Sequence, residues 1–269
     1  MRGRAVGRLP RCSSAASRPA CWAPTPPSWP PGPARRAPRG SASWSTRASA
    51  SSTASCRLLP LLERLHLRPV AVLVTHGHLD HVAEAAAVAD PAGAPVLLGA
   101  PDVHRLEDPL EGLGPQLRAA LLAQVPGFAW RRPASVRGLS GGDEVVAGAL
   151  RVRAVAAPGH TEGSTLLVVD DVPDGDSWSA ADGLPAGTPA VAGRVRSTVM
   201  TGDVLFAGSV GRTDLPGGDG AAMRATLRDV VLALPDDVLV VPGHGPASTL
   251  ARERATNPYL LDPDLLESP

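Results

Sequence analysis

Three of the seven histidines in this chain lie in one heptad, residues 75–81, which reads THGHLDH. Neutral imidazoles and carboxylates are side chains that bind zinc, iron and manganese. In a tight loop, His76 and His78 can face one metal ion, while Asp80 and His81 face a second. Burying these four groups together without a ligand would be energetically costly. The spacing HxHxDH therefore predicts a metal site.

Further His and Asp residues follow other predicted strands. Apolar runs predict strands at 70–74, 95–98, 165–170, 197–201 and 237–241 and a hairpin at 144–157, and helices at 58–67, 82–89, 115–124 and 221–234. Four turns that follow these strands contain Gly together with His or Asp, and these residues converge if the strands end at one edge of a sandwich. Together the turns supply seven predicted ligands: His76, His78, Asp80, His81, His160, Asp203 and His244.

Seven ligands are enough for two metal ions, and the two oxygens of Asp203 can bridge them. Two ions about 3.5–4 Å apart lower the pKa of a shared water and stabilise the oxyanion that forms at an attacked carbonyl. Such a site needs no Ser or Cys nucleophile. The sequence thus predicts a binuclear metallohydrolase that holds two Zn²⁺ ions, with iron or manganese as alternatives. Asp80 and Asp203 are predicted to be catalytic residues as well as ligands.

Charge is distributed unevenly along the 269 residues. Residues 1–62 contain ten arginines and no acidic residue, which leaves 16 arginines and 26 acidic residues in the rest, a net charge of −10. An acidic domain is a poor polyanion binder, and no apolar run approaches the roughly 18 residues of a membrane span. We therefore expect a small-molecule substrate, no nucleic-acid or membrane partner, and a cytoplasmic location; the oligomeric state is left open.

The N-terminal 57 residues differ in composition from the rest. They are rich in Arg, Pro, Ser and Ala, have no apolar period, and read as a disordered segment. A second interpretation is a frame shift, because GC-rich codons for residues 42–48, read from the third base, encode Val-Val-Val-Asp-Pro-Gly. The N-terminal strands would then be missing or replaced. The predicted organisation is this segment at 1–57, a metallo-hydrolase domain at 58–260 with a flexible insertion at 171–195, and a tail at 261–269.

These motifs resemble a known family. THGHLDH is similar to the THxHxDH signature of the metallo-β-lactamase superfamily. PGHT (158–161), TGDVLFAGSVGRTDLPGG (201–218) and VPGHG (241–245) resemble its hydroxyacylglutathione hydrolase branch, the glyoxalase II type. The resemblance covers about residues 58–260 and implies an α/β fold, a four-layer αββα sandwich. It also implies that His76, His78 and His160 hold the first metal, that Asp80, His81 and His244 hold the second, and that Asp203 bridges.

The resemblance implies hydrolysis of a thioester, of the S-hydroxyacyl-thiol type, by a metal-bound hydroxide. Only 25 residues follow His244, so we expect the helical domain that holds the thiol carrier in full-length glutathione thioesterases to be missing, and the carrier is left open. His81 and Asp203 count against β-lactam hydrolysis, because β-lactamases of the superfamily generally replace one of them. The alternatives are a mononuclear iron persulfide dioxygenase, which binds iron through two His and one Asp, and a truncated product without function.

Overall fold

Two β-sheets form the centre of the computed structural model, which describes residues 5–12, 20–24, 55–111, 113–124, 128–170 and 195–267. The seven-stranded sheet has the order β1 (Ala5–Cys12), β6 (Glu144–Gly148), β7 (Leu150–Ala156), β8 (Thr165–Val169), β9 (Ser197–Gly202), β12 (Val238–Pro242) and β13 (Ser248–Thr249). The four-stranded sheet has the order β2 (Ala20–Pro24), β3 (Leu67–Leu73), β4 (Val96–Gly99) and β5 (Val136–Leu139). A hairpin is formed by β10 (Leu205–Phe206) and β11 (Ser209–Val210).

Seven α-helices accompany the sheets in the part of the chain that the structure describes. They are α1 (Ser55–Arg64), α2 (Leu79–Val82), α3 (Ala85–Ala89), α4 (Pro115–Gln124), α5 (Gly220–Thr226), α6 (Leu250–Thr256) and α7 (Pro258–Leu261), with a π-turn at Leu227–Val231 and 3-10 turns at Asp90–Ala92, Ala100–Leu106 and Pro263–Glu267. Within the described ranges, no helix is long and apolar enough to span a membrane.

Alternating side chains of the strands build three apolar layers. Leu73, Leu97 and Leu167 lie between the sheets, in one buried cluster. The neighbouring residue Leu98 packs towards α1 and α3, and Leu166 packs towards α5 and α6. Strands that are buried on both faces read as unbroken apolar runs, which is why these segments were recognisable in the sequence. The layers confirm the predicted αββα sandwich.

The relative directions of the strands bring four strand ends to one edge. β8 is antiparallel to both β7 and β9, and β9 is parallel to β12, so β7, β9 and β12 all run the same way. The end of β3 joins them, because the Thr165 backbone amide at the start of β8 donates to the Thr75 carbonyl at 2.8 Å. The loops that follow β3, β7, β9 and β12 therefore share one edge of the sandwich.

The structure differs from the prediction at both ends of the chain. Residues 5–12 and 20–24, predicted to be disordered or frame-shifted, form β1 parallel to β6 and β2 antiparallel to β3. A segment can join the edge of a sheet through backbone hydrogen bonds alone, without alternating apolar side chains. The hydrophobic pattern of the sequence therefore gave no sign of β1 and β2. The frame-shift hypothesis stays a prediction, as does the insertion, of which 171–194 lie outside the described residues. The predicted tail is partly packed, because Leu266 contacts the core beside α5.

We expect Leu167→Ala to lower the free energy of unfolding by about 2–5 kcal/mol, because the Leu167 side chain is fully buried between the sheets. Leu261→Ala is the control, since Leu261 is 63% exposed and its loss should cost less than about 0.5 kcal/mol. Urea denaturation of both variants measures the difference. Equal costs for the two variants would contradict the inter-sheet packing.

Candidate metal centre

The heptad changes from extended to helical conformation between its second and third histidines. His78 is extended (φ −71°, ψ 149°) and caps α2, and its carbonyl accepts the His81 backbone amide at 3.0 Å. His76 and His78 therefore precede the helix, whereas Asp80 and His81 lie on its first turn. This change of direction lets four nearby side chains reach one region from two sides.

All seven predicted ligands lie together at the shared edge. Among the described residues, three groups have ligand atoms that all lie within 4.8 Å of one another: His76, His78 and His160; His76, His81 and Asp203; and Asp80, His81 and His244. His76 and His81 each belong to two of these groups, so the groups form one continuous cluster. The other two histidines of the chain, His66 and His104, are members of none of them.

Hydrogen bonds at the back of two imidazoles orient them. His160 Nδ1 lies 2.8 Å from the Arg212 carbonyl oxygen, to which it donates, so its Nε2 is left as the acceptor nitrogen that faces the cluster. His76 Nδ1 contacts the Thr75 hydroxyl at 3.2 Å, and its Nε2 also faces the cluster. Outer partners of this kind fix the tautomer of metal-binding histidines.

Three buried atoms in the cluster have no hydrogen-bond partner: His76 Nε2, His81 Nε2 and Asp203 Oδ1. His81 Nε2 and Asp203 Oδ1 are 3.3 Å apart, but their geometry does not make a hydrogen bond. Each unsatisfied buried polar group costs about 1–3 kcal/mol. Imidazole nitrogens and a carboxylate oxygen that lie close together without hydrogen-bond partners fit a divalent cation. The residues present therefore fit the metal that the sequence predicts.

Electrostatics keep the buried histidines neutral. Burial, together with the nearby His81, lowers the pKa of His76 well below its ordinary value of 6.5. Burial and the adjacent His160 lower the pKa of His78 to about 4, and burial lowers the pKa of His160 as well. Neutral imidazole is the form that binds a metal, so these side chains need to release no proton at pH 7.

The outer part of the cluster has a different charge balance. The hydrogen bond from His244 Nε2 to Asp80 Oδ2, at 3.0 Å, raises the pKa of His244. Burial alone would raise the pKa of Asp80, but the hydrogen bond and the charges of His81 and His244 outweigh it and lower this pKa to about 2. The side chains of Asp80 and His244 are 42% and 37% exposed, whereas His76 and His160 are buried. The cluster is therefore open to solvent on the side of Asp80 and His244.

Two glycines allow the strand ends to come this close. Gly202 has φ +50°, and a Cβ there would lie 2.4 Å from Thr75 Oγ1. A Cβ at Gly243 would lie 2.3 Å from Asp203 Oδ1 and 2.6 Å from His81 Cε1. Any larger residue at these positions would push the strand ends apart. This explains the glycine that directly precedes Asp203 in TGD and the glycine that directly precedes His244 in PGH.

The chain shows clear likeness to known proteins. A sequence profile described as Metallo-beta-lactamase superfamily matches residues 41–173. The chain is 37% identical to the uncharacterised protein Rv2581c of Mycobacterium tuberculosis over 201 residues. This match covers 74% of this chain and 80% of the relative. It is 30% identical to the probable metallo-hydrolase YqgX of Bacillus subtilis (72% and 77%) and 28% identical to the hydroxyacylglutathione hydrolase GloC of Haemophilus influenzae (76% and 82%). The chain belongs to the metallo-β-lactamase superfamily.

Solved structures agree with this family. TTHA1623 in a di-iron-bound form is 31% identical, with a TM-score of 0.54 over 77% of this chain and 85% of that one. The B3 metallo-β-lactamase BLEG-1 is 29% identical (TM-score 0.55; 76% and 82%), and ETHE1 from Myxococcus xanthus is 25% identical (TM-score 0.51; 77% and 69%). The fold is confirmed; the hydroxyacylglutathione hydrolase branch and the expectation against β-lactam hydrolysis stay predictions.

We expect acidification from pH 7 to pH 5 to lower the melting temperature of the metal-free protein. Unfolded histidines take up protons near pH 6.5, but folded His76, His78 and His160 resist protonation, so the unfolded state gains protons and stability is lost as the pH falls. His244, with its raised pKa, opposes this as a single group. Thermal melts in the presence of a chelator measure the effect. The melting temperature of His78→Gln should fall less between the two pH values. A fall as large as that of the wild-type protein would contradict the role given to His78 in this pH dependence.

Proposed function

We propose that this protein is a binuclear metallohydrolase of small-molecule thioesters, of the S-hydroxyacyl-thiol type. The observation that carries the proposal is the completeness of the seven-residue cluster, with Asp203 placed between its two ends. Asp203 Oδ2 lies 3.6 Å from His160 Nε2 and 3.5 Å from His244 Nε2, so one carboxylate reaches the buried group and the exposed group. A carboxylate in that position suits a bridge between two ions.

The residues divide into a buried set and an exposed set. His76, His78 and His160 would hold the first ion, Asp80, His81 and His244 the second, and Asp203 both. Bound zinc would supply a water of lowered pKa and a positive charge for the substrate carbonyl. With a pKa lowered to about 2, Asp80 is fully ionised at neutral pH, so it would act as a ligand and hydrogen-bond acceptor rather than as an acid. Asp80 and Asp203 are the two carboxylates that we expect to contact the reacting water.

Thioester specificity is supported by likeness rather than by the cluster alone. GloC, a relative at 28% identity, is described as a hydroxyacylglutathione hydrolase. The PGHT, TGDVLFAGSVGRTDLPGG and VPGHG segments, which resemble that branch, contain His160, Asp203 and His244. We propose a thioester substrate on this ground, and we leave the acyl group and the thiol carrier open.

A second candidate function is iron-dependent persulfide oxidation. The group His76, His81 and Asp203 has two imidazoles and one carboxylate, the ligand set of many non-haem iron oxygenases. ETHE1, a structure at 25% identity, also has the same fold. The complete outer group with Asp80 and His244 favours the binuclear hydrolase, because one iron would leave these two side chains without a role.

The test is metal analysis combined with turnover of a defined substrate. Zinc-loaded protein should contain about two metal ions per chain and hydrolyse S-lactoylglutathione or a simpler S-lactoyl thiol. One iron per chain with oxygen consumption on a persulfide would support the second candidate instead. Turnover of a chromogenic cephalosporin by the same zinc-loaded protein tests β-lactam hydrolysis. Two bound metals without any thioester turnover would refute the proposed substrate class.

We expect Asp203→Asn to lower thioester turnover more than about 100-fold, because loss of even an outer partner of a ligand costs about 10–100-fold. The metal content should fall below that of the wild-type protein. Asp143→Asn is the matched control: Asp143 is also a mostly buried Asp, but it accepts the Ser140 amide in the turn before β6. A similar loss of turnover in both variants would contradict the role given to Asp203.

A further inference from the structure

Asp102 is a fully buried carboxylate that is not among the seven predicted ligands. It lies in the 3-10 turn Ala100–Leu106, immediately after β4. No motif in the sequence pointed to it, because the turn contributes nothing to the cluster itself. A carboxylate without access to water needs several hydrogen-bond donors around it, and the identity of those donors is informative.

The donors to Asp102 come from the two loops that carry the buried histidines. Asp102 Oδ2 accepts the Gly77 amide at 2.7 Å, and Gly77 is the residue between His76 and His78. The same oxygen accepts the Thr161 hydroxyl at 2.7 Å, and Oδ1 accepts the Gly163 amide at 2.8 Å. One carboxylate thus joins the backbone beside His76 and His78 to the loop that follows His160.

The junction has no spare room. A Cβ at Gly163 would lie 2.6 Å from Asp102 Cβ, and a Cβ at Gly77 would lie 2.8 Å from the Arg105 side chain. At Gly77 and Gly163 the backbone therefore approaches Asp102 and Arg105 too closely for any side chain to fit between them. The two loops also place their histidines close together, because His78 Nδ1 and His160 Nε2 are 2.8 Å apart.

Arg105 extends the junction to a third loop. Its Nε lies 3.3 Å from Asp102 Oδ1, and its Nη2 donates to the Pro216 carbonyl at 2.9 Å and to Glu162 at 2.5 Å. Pro216 follows Arg212, whose carbonyl oxygen orients His160. Asp102 and Arg105 together connect the backbone around all three buried histidines.

We propose that Asp102 is a positioning residue for the buried half of the metal centre. It sets the distance between the loop of His76 and His78 and the loop of His160, through two backbone amides and the Thr161 hydroxyl, and it contacts neither metal nor substrate. This inference rests on the metal centre of the proposed function but is independent of the substrate. It predicts that Asp102 controls metal affinity and ligand geometry, whereas a merely structural residue would affect only stability.

The test uses Asp102→Asn with Co²⁺ as the metal probe, because the visible absorption of Co²⁺ reports its ligand geometry. The asparagine keeps the shape of the side chain but replaces one oxygen with an NH₂ group, which cannot accept a hydrogen bond. If the NH₂ takes the place of Oδ2, the Gly77 and Thr161 donors lose their acceptor, and if it takes the place of Oδ1, the Gly163 donor does. We expect the affinity of the tighter Co²⁺ site to fall about 10–100-fold, as for outer partners of other metal ligands, with a changed absorption band.

Glu253→Gln is the matched control. Glu253 is equally buried, and it accepts the Gly208 amide at 2.7 Å and the Asn257 side-chain amide at 2.9 Å, away from the buried histidines. This variant should lower the melting temperature but keep the wild-type Co²⁺ affinity and spectrum. If Asp102→Asn behaves in the same way as Glu253→Gln, Asp102 is only structural and the inference is wrong.

A second pair of variants decides the matter should Asp102→Asn not fold. Thr161→Val removes one donor to Asp102, and Thr161→Ser keeps it, so only the valine variant should weaken Co²⁺ binding and alter its spectrum. Equal binding by the two would overturn the inference. Wild-type protein that binds no Co²⁺ would instead refute the metal centre itself, which separates failure of the proposed function from failure of this inference.

Discussion

Buried imidazole nitrogens and a carboxylate oxygen without hydrogen-bond partners are the constraint on which the rest of the structure depends. His76 and His81 each present Nε2, and Asp203 presents Oδ1, without a hydrogen-bond partner. Burial removes water from these atoms, and it lowers the pKa of His76 and of His160, which keeps these two imidazoles neutral. Two bound cations would satisfy all of them. Without cations, the cluster would be a net cost to folding.

The sandwich serves this constraint by bringing four strand ends to one edge. Parallel directions of β7, β9 and β12 place His160, Asp203 and His244 on the same side, and a backbone hydrogen bond between Thr165 and Thr75 joins the other sheet to them. The glycines at the strand ends permit the close approach. Because the seven side chains come from four loops, precision depends on contacts between loops rather than on any single element.

Most of the site could be predicted from the sequence, because the ligands are of distinctive types and lie in turns that follow predicted strands. The heptad and His160, Asp203 and His244 were found in this way. Asp102 was not predicted, because its role comes from contacts with residues 25 and 59–61 positions away, which no local pattern encodes. β1 and β2 were missed for a similar reason: backbone pairing at a sheet edge requires no apolar period.

Anomalous X-ray diffraction from crystals of the zinc-loaded protein tests the central claim most directly, because it locates each metal without reference to any substrate. We predict two zinc peaks about 3.5–4 Å apart. One should lie among His76, His78 and His160, the other among Asp80, His81 and His244, with Asp203 between them. Zinc that is absent from the cluster, or bound only at sites elsewhere on the chain, would contradict the account.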